Sequence, residues 1–321
     1  MGGHSMVRIA VLDDYQRVAG RMADWAATVP DAAITFFADH DPNATTLSAR
    51  LADFDVVVAM RERTPFPREV LARLPRLRLL VTTGMRNAAI DLDAAADLGI
   101  TVCGTAGSNT STAELTWALI LALLRRVPAE DAAVRAGGWQ HTLGIDLSGR
   151  TLGVLGLGKI GRRVAAVGAA FGMEVVAWSQ NLTAEAAAGG GARRVEREEL
   201  FRLADVLTIH LVLSDRTLGL VGETELTLMK PTAHLVNTSR GPIVDEAALA
   251  AHLRGGRIAG AAIDVYGVEP LPSDDPWRSM PNTVLTPHIG YVTEDTYRTF
   301  YREAAEDVAA FLAGRPVRVL T

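Results

Sequence analysis

A cation, two carboxylates and an imidazole follow apolar runs in the second half of the chain. Arg240 lies in Asn237-Thr238-Ser239-Arg240-Gly241, Asp264 and Glu269 come after the run ending at Ile263, and His288 lies in Thr286-Pro287-His288-Ile289-Gly290. Histidine titrates near neutrality and suits proton transfer, and a carboxylate beside it favours the imidazolium. The planar fork of arginine matches a carboxylate bidentately. Given a hydride donor, such a set could reduce a 2-oxo acid, with a proton for the carbonyl oxygen and a cation for the acid group. Spacing alone leaves the alternative open that Arg240 is a surface residue, Glu269 a loop charge and His288 a satisfied polar side chain.

The hydride donor has its own signature. An apolar run over 152–155 ends in Gly156-x-Gly158-x-x-Gly161, with Lys159 and Ile160 in the turn, and a small-residue helical run over 160–171 follows. Strand, glycine turn and helix in this order predict dinucleotide binding, with the pyrophosphate on the helix N-terminus. The run 174–178 predicts the next strand, at whose end an acid would grip the adenosine ribose. Ser179, Gln180 and Asn181 stand there instead. Without a negative charge a 2′-phosphate is not repelled, so NADP is the preferred cofactor and NAD the alternative. Arg193 and Arg194 are too far along the chain to be assigned to that phosphate. His210, at the end of the run 206–211, is expected to be a wall of the cofactor site.

These residues need elements to position them. Strands are expected over 7–12, 55–60, 77–81 and 100–103, with helices over 68–74 and 91–98. Strands alternating with helices imply a parallel sheet covered on both faces. Residues 104–111 read as a hinge. A helix over 112–127, apolar on nearly all faces and ended by Pro128, is expected to be buried, either under the second sheet or in a subunit contact. Alternation resumes with strands over 206–211, 234–236, 258–263 and 283–285 and helices over 223–229 and 245–254. Gly189-Gly190-Gly191 reads as a short flexible loop. A long helix over 293–312 is expected to cross back to the first domain.

The chain has 321 residues, 49% of them apolar, which is enough for two cores. A net charge of −5 with no basic block argues against a nucleic-acid partner, and no run approaches a membrane span. The lone Cys103 excludes an internal disulfide and fits a cytoplasmic location. The remaining histidines show no metal-ligand spacing, so no metal is expected. Met1-Gly2-Gly3-His4-Ser5 reads as an expression scar.

Taken together, the ordered segments 152–161, 204–210, 228–231, 237–246, 264–270 and 286–290 resemble the D-isomer-specific 2-hydroxyacid dehydrogenase family over nearly the whole chain. The resemblance implies an α/β chain of two doubly wound domains. These are a Rossmann dinucleotide-binding domain over 111–288 and a discontinuous flavodoxin-like substrate domain over 6–110, completed by 289–321. It implies that Arg240 binds the substrate carboxylate and carbonyl, that His288 is the general acid/base, and that Glu269 is its partner. Asp264 would contact the nicotinamide side of the cofactor, and Thr110, Thr238, Ser239 and Gly290 would complete the cofactor-contacting set. Amides of the loop 83–87 would hold the substrate carboxylate, with Arg86 and Asn87 at the substrate.

Three residues depart from the family pattern: Arg86 replaces a second loop glycine, Ser179 replaces the ribose acid, and Val212 replaces a proline. The expected activity is hydride transfer between NAD(P)H and a small 2-oxo acid, with glyoxylate or hydroxypyruvate as the default. Phosphoglycerate ranks lower because no appended regulatory domain is present, and formate ranks lower because Glu269 stands where those enzymes tend to have glutamine. The rival reading is a dinucleotide-sensing, corepressor-like binding protein, and a homodimer is expected from the resemblance.

Overall fold

The computed structural model describes residues 6–321, so the expression-scar reading of residues 1–5 lies outside the described residues. The chain divides into two compact units, one ending at Ser108 and resuming over Thr293–Thr321, the other spanning Asn109–Val292.

In the first unit the chain runs through β1 (Val7–Val11), the one-turn helices α1 (Ala19–Met22) and α2 (Trp25–Thr28), β2 (Ala32–Phe36) and α3 (Ala44–Leu51). It continues through β3 (Val56–Ala59), α4 (Arg68–Leu71), β4 (Leu79–Thr82), α5 (Leu92–Asp97) and β5 (Thr101–Gly104). All five strands are parallel in the order β2-β1-β3-β4-β5, the flavodoxin-like arrangement. β3 and β4 are buried at every residue, which is why they read as unbroken apolar runs. β2 and α3 have no counterpart among the sequence expectations. β2 is a half-exposed edge strand with no strong apolar run, and α3 carries two threonines in its first turn. Asn43 starts α3 by accepting from the amides of Thr45 and Thr46, and Asp91 caps α5 in the same manner.

The second unit contains α6 (Ser111–Leu124), α7 (Val127–Arg135), β6 (Thr151–Leu155), α8 (Lys159–Ala170), β7 (Glu174–Trp178), α9 (Ala184–Ala188), β8 (Arg193–Arg194) and α10 (Arg197–Leu203). There follow β9 (Val206–Ile209), α11 (Glu223–Leu228), β10 (His234–Asn237), α12 (Glu246–Arg254), β11 (Gly260–Ile263) and β12 (Thr283–Leu285). Its seven strands are all parallel, ordered β12-β11-β10-β9-β6-β7-β8. α6 packs on this sheet: Trp117, Ile120 and Leu124 share one core with Leu152, Val154, Val206 and Val236, and the Trp117 indole donates to Val164 O at 3.2 Å.

Two expectations are corrected here. The helix read over 112–127 ends at Leu124, and Pro128 starts another helix rather than stopping one. Arg126, at φ +52, makes the break, and proline fits the first turn of α7 because its missing N–H has no intrahelical partner there. The loop read at Gly189-Gly190-Gly191 is a tight turn between α9 and β8, whose amides bond back to Glu185 O, Ala187 O and Ala188 O.

The chain re-enters the first unit with α13 (Glu294–Leu312), which buries Tyr297, Phe300, Tyr301, Ala304 and Val308 and packs against β4. The terminal segment then runs antiparallel beside β5: Leu320 N donates to Val102 O at 2.8 Å and Gly104 N to Arg318 O at 3.0 Å. This covers an edge that would otherwise present unpaired amides. Arg318 fastens the segment to α13 through Asp307 and Glu306, at 2.9 and 3.1 Å.

Candidate active site

In the second unit the carboxyl ends of β6, β9, β10, β11 and β12 carry the residues singled out by the sequence. After β6, Gly156 sits at φ +103, and a Cβ there would lie 2.7 Å from His210 O. A Cβ on Gly161 would lie 2.1 Å from Gly156 O, so only glycine lets α8 pack on the turn. Gly158 differs from both. It precedes α8, and a Cβ there would meet nothing within 4 Å. Among the described residues nothing excludes a side chain at 158, so the open cradle has room for a group from outside. The N-terminus of a twelve-residue helix at this point suits an anion such as a pyrophosphate.

Beyond β7, Ser179 O accepts from Leu182 N at 3.0 Å, and no carboxylate follows the strand. Arg194, set aside in the sequence as too distant, is brought to this turn by the pairing of β8 with β7. Its Nε donates to Leu182 O at 3.0 Å, and its Nη1 lies 2.7 Å from Glu196. Beyond β9, His210 Nε2 lies 2.9 Å from Thr208 Oγ1, and burial pushes the His210 pKa down to about 3. A ring held neutral suits a wall better than an acid.

The turn after β10 is a cage of local bonds. Asn237 Nδ2 donates to Arg240 O at 3.0 Å, Ser239 N donates to Asn237 Oδ1 at 3.0 Å, and the Ser239 hydroxyl donates to Leu211 O. Thr238 Oγ1 lies 2.8 Å from Thr116 Oγ1 on α6, and Arg240 Nη1 donates to Ser239 O at 2.7 Å. The backbone that carries the cation is thereby fixed.

His288 Nδ1 lies 2.6 Å from Glu269 Oε2, and Glu269 Oε1 accepts from Tyr266 N at 2.8 Å. With Nδ1 engaged, Nε2 is the nitrogen left to face a reacting group. The edge of Tyr291 packs against the imidazole, with ring centroids 5.4 Å apart. Asp264 is fully buried, and its carboxylate accepts from Thr286 Oγ1, Ile289 N and Gly290 N. Burial raises its pKa, against the pull of those donors. Its carboxylate thus shapes the loop around His288. The 204–206 and 228–231 motifs are structural: Lys230 Nζ bonds Asp205 Oδ1 and Leu203 O, while Asp205 Oδ2 accepts from Thr151 N.

In the first unit the loop 83–87 follows β4. Gly84 N donates to Thr105 Oγ1 at 2.9 Å. Asn87 Nδ2 donates to Arg61 O and Thr82 Oγ1, and its Oδ1 accepts from Ala89 N, so this side chain shapes the loop. Arg86 is exposed. Sequence reasoning passed over Arg61 and Arg63, which follow β3. Arg61 Nη1 donates to Thr83 O at 3.2 Å, and Arg63 lies 4.5 Å over the Tyr15 ring. The available signal was their place beyond the carboxyl end of a parallel strand. Among the described residues, no group of three or more His, Cys, Asp or Glu is placed to hold a metal ion, and no helix is long and apolar enough to cross a membrane.

Known proteins can be set against this geometry. The NAD binding domain profile of the D-isomer specific 2-hydroxyacid dehydrogenases matches residues 117–290. A glyoxylate reductase of Aeropyrum pernix is 45% identical over 257 residues, covering 77% of each chain. A D-3-phosphoglycerate dehydrogenase of Archaeoglobus fulgidus is 37% identical over 264 residues, which is 81% of this chain and 50% of that protein. The crystal structure of a phosphoglycerate oxidoreductase from Vibrio cholerae O395 superimposes with a TM-score of 0.92 at 40% identity, covering 96% of this chain and 100% of the other.

Proposed function

The chain belongs to the D-isomer specific 2-hydroxyacid dehydrogenase family, and on that premise we propose that it reduces a short 2-oxo acid, glyoxylate or hydroxypyruvate first, with NADPH. It is an NAD(P)-dependent oxidoreductase of small 2-oxo and 2-hydroxy acids. The observation that carries the catalytic assignment is the 2.6 Å bond between Glu269 and His288 Nδ1. The fold pairs a dinucleotide domain, which we assign to 111–288, with a substrate domain assigned to 6–110 and 289–321.

When bound, the cofactor supplies a hydride to the carbonyl carbon. Gly156, Gly158 and Gly161, with the amides of Lys159 and Ile160, hold its pyrophosphate, and His210, Thr110, Thr238, Ser239 and Gly290 wall it. Arg240 binds the substrate carboxylate and polarises the carbonyl. His288 Nε2 gives its proton to the carbonyl oxygen as negative charge develops there, and Glu269, bonded to Nδ1, holds the ring in place. In the oxidative direction the same nitrogen takes the proton back.

Ser179 and Gln180 support NADPH because no acid stands at the end of β7 to repel a 2′-phosphate, and Arg194 reaches this turn through its bond to Leu182 O. A short substrate is supported by the 45% identity to the glyoxylate reductase over 77% of each chain. A homodimer is supported by apolar exposure on and after α7, where Trp139 is 75% and Leu143 92% exposed. A cytoplasmic location is supported by the single cysteine, Cys103, which is buried and unpaired.

Initial rates of NADPH and NADH oxidation across 2-oxo acids from glyoxylate to phenylpyruvate test this reading. Fast turnover of a short acid with NADPH is expected, and His288→Ala should lower kcat by about 10²–10⁴. Tight cofactor binding with no turnover of any acid would overturn it in favour of a sensing role.

A further inference from the structure

One carboxylate beside the proposed proton-transferring pair has no part in the mechanism above. Glu246 opens α12, directly after its cap Asp245, and its side chain turns away from the helix to accept from Gly267 N at 2.7 Å. The buried Trp277 side chain lies beside the same carboxylate and pulls its pKa down against burial. Gly267 lies against that carboxylate so closely that a Cβ there would be 3.2 Å from Glu246 Oε2. The preceding amide, Tyr266 N, donates to Glu269 Oε1 at 2.8 Å. Two successive amides of one turn therefore go to two different carboxylates, one holding the turn to α12 and the other orienting the partner of His288. The Tyr266 side chain fixes the turn from the opposite side, its hydroxyl donating to Ile263 O and Thr286 O.

We propose that Glu246 is a positioning residue of the Glu269–His288 pair, clamping the 264–270 turn and lending it a second negative charge that favours the protonated form of the pair. The proposal rests on the proton-transfer reading of His288. Burial raises the Glu246 pKa, and the charges of Asp275 and Glu269 add to that rise against the pull of Gly267 N. The other groups facing the pair are Asp264, whose carboxylate accepts from Ile289 N and Gly290 N after the histidine, and the Tyr291 ring, which meets the imidazole edge-on. Arg278 acts on Tyr266 from the neighbouring turn, and Arg240 stands at the end of β10. Among them Glu246 is the carboxylate that both grips the turn and carries a charge without touching the imidazole.

Charge and grip separate in two conservative variants. Glu246→Gln keeps an acceptor for Gly267 N and removes the charge. Glu246→Asp keeps the charge and shortens the reach. For reduction, which consumes the proton, the alkaline limb of the pH–kcat profile of Glu246→Gln is expected to move down by about half a pH unit, the effect of one screened charge. Glu246→Asp should keep the limb in place while kcat falls several-fold and the KM for cofactor stays unchanged. The imidazole signals of the free protein, followed by NMR and assigned with His288→Asn, should show the same displacement in Glu246→Gln. That second reading needs no turnover, so a chain without activity would sink the proposed reaction and leave the clamp still measurable. Superimposable titrations of wild type and Glu246→Gln would overturn the proposal, as would an equal displacement in Glu246→Asp.

Discussion

Asp264 holds His288 by the two peptide groups that follow it: Oδ1 accepts from Ile289 N at 2.8 Å and Oδ2 from Gly290 N at 3.0 Å. The histidine itself sits at φ +52, a left-handed conformation that costs a residue with a Cβ about 1 kcal/mol. The buried carboxylate one strand away makes that conformation persist. Asp264→Asn should therefore turn an amide donor towards one of these N–H groups. The expected loss is about 1–3 kcal/mol of stability in a denaturant titration, with kcat down at least tenfold. Wild-type stability and rate in this variant would show that the anchor lies elsewhere.

Gly158 and Gly161 should respond oppositely to the same change. Gly158→Ala meets open space, so its melting temperature should stay within a degree or two of wild type while the KM for cofactor rises. Gly161→Ala drives a methyl into Gly156 O and should cost about 1–3 kcal/mol whether or not cofactor is present. Differential scanning of the two variants, with and without NADPH, reads both effects at once.

Cofactor choice should turn on the end of β7. Ser179→Asp places a carboxylate where a 2′-phosphate would come, and the kcat/KM ratio of NADPH to NADH should fall by at least tenfold. Arg194→Ala should lower that ratio several-fold without affecting NADH. A ratio unmoved by both changes would mean that the phosphate is read by other residues.

Asp307 gives the fold a pH dependence with a defined sign. Its side chain is buried on α13, one oxygen bonds Arg318, the other has no partner, and burial lifts its pKa from 3.8 to about 7. The folded chain thus holds this proton more tightly than the unfolded chain. The stability linked to it is complete below the unfolded value and is lost as pH rises towards about 7. Asp307→Asn should flatten the fall in melting temperature between pH 4 and 7 and melt higher than wild type at pH 8. A parallel fall in both proteins would assign the dependence to other groups.

What the sequence shows and hides follows from where each element gets its stability. β3, β4 and β9 are buried on both faces and announce themselves as apolar runs. β8 is two arginines, Arg193 and Arg194, held by pairing to β7, and no local pattern could mark it. The same pairing brings Arg194 beside the turn after β7, a proximity that distance along the chain conceals. His288 and Glu269 are legible because each sits in a recognisable segment. Arg61 and Arg63 are single charges after β3, and only the topology gives their position meaning. The three bonds of Asp264 to the 286–290 loop depend on the register of β11 with β12, which the sequence does not show.

The split of the first unit around the second imposes an order on synthesis. Asn109–Val292 is continuous and can close on itself once translated. The sheet of the first unit emerges earlier, yet it must wait for the whole of that span before α13 arrives to cover it with Phe300, Tyr301 and Val308. Contacts so distant along the chain form late, and apolar surface stays uncovered in the meantime. The first unit is therefore expected to be the last to reach hydrogen-exchange protection during refolding of the whole chain.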